Sequence, residues 1–286
     1  MKLVSMAVAA AGWAAMAAAD VSYVEEIVNK GVGPKKTGAR KTTNQVYIKG
    51  QRQRVHSLIE TSKSGAEALR RQGGTTDGST ILQLDRANLL QIDHTRASYS
   101  REPLPPPGTS DEAGGGTPPA AKAAAGGPDR EVEFRTRILD DTKRVAGIPC
   151  HRVAAEMKVQ NLDPGTGKVR RENRYLYQAW AADDFPGYRD IRRFQELQAR
   201  KTSYPSLIRS GIGGAPEAIA DHESLQEELD ALEGFHMQSV LKVFTRQGAR
   251  KENQVFELVR TVKSLSNSAL PDSLFDVSGE LTRTTR

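Results

Sequence analysis

Thr80-Ile81-Leu82-Gln83-Leu84-Asp85-Arg86-Ala87-Asn88-Leu89-Leu90-Gln91-Ile92-Asp93 is the stretch from which the fold reads. Two short apolar runs, Thr80 to Leu84 and Leu89 to Asp93, flank Asp85-Arg86-Ala87-Asn88. Those four residues carry hairpin turn chemistry, because Asp and Asn bond their own backbone and tolerate left-handed geometry. The stretch therefore predicts two antiparallel strands. Tyr99 marks a further short strand.

Upstream, Asp20 to Val28 holds Val21, Tyr23, Val24 and Ile27 and predicts a first strand. Gln45 to Ile59 alternates Val46, Ile48, Val55 and Ile59 with Lys49, Arg52, Arg54 and His56. Gly50 divides it, so it is one bent strand or a hairpin. Thr61 to Gly78 reads as polar and turn-rich. This half is thus a meander of short antiparallel strands with one apolar and one polar face.

Downstream, residues 101–129 break the pattern with Pro105-Pro106-Pro107, Gly114-Gly115-Gly116, Pro118-Pro119 and an Ala/Gly run. Such a segment buries too little surface to offset its ordering entropy and reads as a disordered linker or insertion. Strand signals return at Val132 to Ile138, then at Val145 to Val159 and Arg170 to Ala182, the last two closed by Asp163-Pro164-Gly165-Thr166-Gly167. Asp184-Phe185-Pro186 predicts a helix start, with a capping carboxylate and an early proline. Tyr188, Ile191, Phe194 and Leu197 follow at threes. A second, acidic helix is expected from Pro216 to Leu232, with Ile219, Leu225, Leu229 and Leu232 on one face and Gly234 as its stop. Two strands, Phe235 to Phe244 and Gln254 to Val262, precede Leu270-Pro271-Asp272-Ser273-Leu274-Phe275.

The order of strands, linker, strands, two helices and strands predicts an α+β fold. Its sheet is antiparallel, with the helices on one side. Residues 20–100 and 130–286 are expected to form one β-rich domain around the insertion.

The first nineteen residues carry Lys2, an Ala-rich apolar run and Ala17-Ala18-Ala19. These are the three parts of a secretory signal peptide, with cleavage expected before Asp20. The run is shorter than the ~20 residues of a membrane span, so no transmembrane span is expected in the mature chain. An exported protein, periplasmic or extracellular, follows. Among 286 residues the formal charge is +6, which loss of Lys2 lowers by one. That mild excess suits a surface rich in lipid phosphate but names no partner. Nucleic acid is disfavoured, because aromatics are only 6% of the chain and single-strand binding needs stacking platforms among the basic groups.

No catalytic motif emerges. Gly31 to Thr37 brushes a phosphate loop but has Lys35 where the second glycine belongs. The five histidines, His56, His94, His151, His222 and His236, show no metal-ligand spacing. No metal or other cofactor is expected. Asp93-His94 reads as a turn contact. Cys150 reads as a small buried hydrophobe, and a strand sends His151 to the other face. No nucleophile, base and orienter assemble from named residues, although a triad is built in space and leaves no fixed spacing.

Several phrases together resemble one family. They are Tyr47-Ile48-Lys49-Gly50 with Arg52 and Arg54, Ile81 to Asp85, Leu90 to His94 with Tyr99, Ala146 to Cys150, Gln178-Ala179-Trp180 leading to Asp184, and Leu270 to Phe275. Across Asp20 to Phe275 the chain resembles the bacterial exported domain-of-unknown-function family 4412. The resemblance implies a lipoprotein-carrier type of fold: a curved antiparallel sheet, or half-barrel, with two helices covering its concave face. It implies no catalytic residues. The expected function is non-catalytic binding of a lipid, acyl chain or lipoprotein segment in the half-barrel groove. Met157, Tyr177, Trp180 and Phe194 are its expected lining. The alternative is an envelope module with a filled core that senses stress or contacts another envelope protein through its acidic helix.

Overall fold

The hairpin forms where its turn chemistry lies. In the computed structural model, which describes residues 20–31, 37–107, 129–203, 225, 229 and 234–284, Ile81 pairs with Leu90 and Leu82 with Leu89. Ala87 takes a φ of 50° in the turn. Residues 1–19, where a signal peptide is expected, the Gly-Pro-Lys stretch, most of residues 101–129 and most of the expected acidic helix lie outside the described residues.

Eleven strands follow the meander logic: β1 (Val21–Asn29), β2 (Arg40–Lys49), β3 (Arg52–Thr61), β4 (Asp77–Gln83), β5 (Asn88–Asp93), β6 (Ser98–Pro103), β7 (Arg130–Val145), β8 (Ile148–Leu162), β9 (Val169–Ala182), β10 (Phe235–Gln247) and β11 (Asn253–Ser266). A two-residue β12 (Thr282–Arg283) lies parallel to β6. All belong to one sheet in the order β12-β6-β5-β4-β3-β2-β1-β11-β10-β9-β8-β7. The sheet is open and curled, half-barrel in form, and the fold is the expected α+β. Strands from both sides of the insertion share this sheet, because β1 pairs with β11.

Gly50 marks a hairpin between β2 and β3 rather than a bend, with a left-handed φ of 56°. The long downstream hairpin forms as expected, but the segment from Val145 is not one strand. Ala146 and Gly147 have φ of 48° and 80°, the geometry of a two-residue hairpin turn that matches strand twist. Val145 therefore ends β7, and Ile148 opens β8.

Two helices are described in full. α1 (Lys63–Arg71) falls where the sequence reads as turn-rich. Ser62 caps it by accepting from Gly65 N at 3.1 Å. None of its residues is buried, so local capping rather than a buried apolar face accounts for it. α2 (Tyr188–Lys201) is the expected amphipathic helix, with Ile191 and Phe194 buried. Its start differs from expectation: Asp184 does not cap it. Phe185 is buried against Phe235 and Tyr188, and the turn is made by Gly187, which has a φ of 94° and no side-chain cap bond. A Cβ at Gly187 would lie 2.6 Å from a Val21 methyl, so glycine is required twice over.

Two apolar clusters hold the helix-covered face. In the first, Ile191 and Phe194 of α2 pack with Val21, Tyr23, Val46, Ile48, Val55, Leu82 and Leu89. In the second, Met157, Tyr175, Tyr177, Leu241 and Val243 pack with Leu225 and Leu229. Those two leucines are helical and buried, the inward face expected of the acidic helix. The opposite face, around Ile81, Leu90 and Ile92, is covered by the C-terminal segment through Phe275, in a single 3-10 turn at Asp272–Phe275.

Candidate functional site

Period-two alternation along β1 turns Val21, Tyr23, Glu25, Ile27 and Asn29 to the covered face. Glu25 is thereby carried inward, only 1% exposed. A buried carboxylate is strongly unfavourable unless paired and hydrogen-bonded, and its neighbours supply both. Arg260 on β11 donates through Nε to Glu25 Oε2 at 2.7 Å, and Asn44 on β2 donates to Oε1 at 2.8 Å.

These bonds belong to a polar line across six adjacent strands. Ser57 on β3 donates to Asn44 at 2.8 Å. Asn44 leads to Glu25, and Glu25 to Arg260. Arg260 Nη1 donates to the carbonyl of His236 on β10. The line ends on β9, where Tyr177 Oη lies 2.8 Å from His236 Nδ1. Tyr23 flanks it beside Phe235, with ring centroids 5.6 Å apart. Tyr23 belongs to the first apolar cluster and Tyr177 to the second, so the polar line joins them.

Burial sets the protonation states. Burial lowers His236 to about 4, and the Arg260 charge adds to the shift; the imidazole is neutral at pH 7. Burial, reinforced by Glu25, raises the Tyr23 phenol well above its ordinary value. Burial opposes the charge on Arg260, but Glu25 outweighs it and raises the guanidinium above its usual range. The site is therefore one compensated ion pair amid neutral groups. His236 Nε2 is buried with no hydrogen-bond partner among the described residues, while the buried Tyr23 phenol lies within reach of the Arg260 guanidinium. An atom left like His236 Nε2 costs about 1–3 kcal/mol until a partner meets it.

A pH dependence follows. The unfolded histidine titrates near its ordinary 6.5 and the folded one at about 4. Between these values the unfolded chain binds the extra proton, so stability is lost as pH falls through that window. The loss reaches about 3 kcal/mol at 1.36 kcal/mol per unit. Urea unfolding from pH 7.5 to 4.5 should show it, and His236→Gln should flatten that part of the slope. An unchanged slope would remove His236 as its source.

The four expected lining residues do not form one patch. Met157 and Tyr177 share a face and a cluster, being 1% and 9% exposed. Phe194 sits under α2 in the other cluster. Trp180 alternates away from Tyr177 on β9 and pairs with Arg152, has Lys143 Nζ 4.2 Å above its ring, and packs partly buried against the first cluster. Alternation alone separates Trp180 from Tyr177. Cys150 is buried, its thiol raised chiefly by that burial, and its Sγ lies 3.3 Å from the Ile148 carbonyl.

Sequence reasoning misses Glu25 and Arg260. The usable signal is Glu25 two residues after Tyr23 and two before Ile27, in step with a buried face. It also misses a group on the opposite face that could hold a metal, His56, Asp77 and His94. No helix among the described residues is long and apolar enough to cross a membrane. No family model matches the chain, and no curated protein matches it in sequence.

Proposed function

We propose that this chain is a non-catalytic, exported binding protein. It takes one long-chain lipid, or the acyl segment of a lipoprotein, between the sheet and its helical cover. The observation that carries this reading is the makeup of the covered face. Two apolar clusters are joined by a polar line that leaves His236 Nε2 unpartnered among the described residues. An apolar surface with a few fixed polar groups is the usual build of a small-molecule site. The cover is made of two pieces, α2 and the helical segment bearing Leu225 and Leu229. Binding requires that a piece swings aside, a shift that differential affinity for the open state drives.

Native mass spectrometry of gently purified protein tests this. The expected result is a mass excess that vanishes on denaturation and is extracted as lipid. A clean mass that stays clean after incubation with fatty acids and phospholipids would sink the reading. It would favour the envelope-partner alternative, for which the edge strand β7 offers a surface. Among the described residues β7 pairs only with β8, and its Ile138 is 75% exposed.

A further inference from the structure

The face of the sheet away from α2 carries its own polar group, and three strands build it. His56 lies on β3, Asp77 opens β4, and His94 directly follows β5. Register brings them together: His56 pairs with Ser79 and Leu58 with Asp77, while His94 N donates to the Asp77 carbonyl at 3.1 Å. His56 Nε2 lies 2.9 Å from Asp77 Oδ1. The two imidazoles meet edge to face, with centroids 5.2 Å apart. One ligand atom from each of the three residues lies within 4.8 Å of the other two, and all three residues are half-buried.

We propose that His56, Asp77 and His94 form a binding site for a divalent transition-metal ion of the zinc type. The donor set decides the class of ion. Imidazole suits zinc and its neighbours, whereas calcium and magnesium require oxygen cages. Two imidazoles and one carboxylate are three protein ligands, and the solvent-facing side leaves a further position for water. Zinc bonds of about 2.0–2.2 Å place ligand atoms roughly 3–3.5 Å apart. The His56–Asp77 contact is already near that spacing, and a modest rotation of half-buried His94 completes it.

The surroundings orient the ligands. Ser79 Oγ lies 2.9 Å from His94 Nε2 and accepts from Arg54 Nη2 at 3.0 Å. Thr75 Oγ1 accepts from Asp77 N at 3.3 Å, which fixes the backbone that carries the carboxylate. Such outer contacts fix ring orientation in metal sites. Asp93, the sequence neighbour of His94, is not a ligand. Its Oδ1 accepts from Thr75 Oγ1, Thr95 N, Thr95 Oγ1 and Arg96 N, closing the turn after β5. Arg54 places one positive charge nearby, which works against weakly held hard cations and leaves ions that imidazole binds strongly.

Calorimetric titration of the protein with Zn2+, alongside its thermal midpoint, tests the proposal. Saturable binding of one equivalent with a raised midpoint is expected, and Mg2+ should give neither. His94→Ala and Asp77→Asn should each weaken zinc binding on the order of tenfold or more. His151→Ala should leave it unchanged, because His151 lies on β8, far across the sheet order from β3, β4 and β5, with Asp183 beside it at 3.2 Å. Circular dichroism checks that the variants fold. Co2+ reports on the unaltered protein: intense visible bands of a four- or five-coordinate ion support the site. The weak spectrum of the hydrated ion overturns it, as does zinc binding that survives both substitutions.

Discussion

Arg260→Ala should lower the stability of the fold by about 3–5 kcal/mol, the cost of leaving a buried carboxylate without its ion partner. Glu25 is 1% exposed, and two hydrogen bonds hold it, from Arg260 and Asn44. The substitution also frees the His236 carbonyl that Nη1 now satisfies. The informative comparison is with the double replacement Glu25→Gln, Arg260→Met. Removing both charges takes away two desolvation penalties together with their attraction, and such exchanges are often close to neutral. Urea denaturation of the three proteins should rank the double variant above Arg260→Ala despite its extra change. A single variant that loses less than about 1 kcal/mol would mean that Glu25 finds other solvation, and the polar line would lose its structural role.

Phe194→Ala should cost about 3–5 kcal/mol, the range for truncating a buried aromatic side chain. Phe194 is 1% exposed and stands at the centre of the face that α2 turns to Val46 and Ile48. α2 also brings Ile191, Tyr188 and Leu197 to that cluster. Its C-terminal end is tied by Lys201 Nζ to Gln51 at 2.6 Å and by Thr202 Oγ1 to the Pro105 carbonyl at 2.7 Å. The loss should therefore begin in the helix. Amide exchange in α2 is expected to accelerate before that of β2 to β5. Uniform acceleration would show helix and sheet opening as one unit, which would count against a separately moving cover.

Most of the architecture is legible in the chain because its cues are local. Alternation in Val46 and Ile48, the Asp85 to Asn88 turn and the Asp163 to Gly167 turn each act over a few residues. In the last, Asp163 Oδ1 collects Gly165 N and Thr166 N. The helix starts at Gly187 and not at Asp184 because a tertiary contact, Phe185 packed on Phe235, outweighs the capping signal of Asp184. α1 was missed because it buries nothing, and no hydrophobic period announces it. The sites are less legible than the fold. Glu25 meets Arg260 across 235 residues, and His56 meets Asp77 across 21. Both encounters are fixed by strand register, which composition and spacing do not carry.

The pairing of β1 with β11 also sets the order in which the molecule is completed. A chain is made from its N-terminus, yet one edge of its first strand is met only when Tyr23 finds Leu265 and Val28 finds Val259. Until the ribosome has passed β11, β1 to β6 form a partial sheet with a bare side. Contacts this distant along the chain slow folding to the millisecond-to-second range typical of non-local β topologies. A bare strand edge during that wait is an invitation to mispair. A chain stopped anywhere before Asn253 would lack the whole partner strand. The sheet is thus joined only once β11 is made, and a ribosomal stall or proteolytic cut before it should yield aggregate rather than a smaller folded protein.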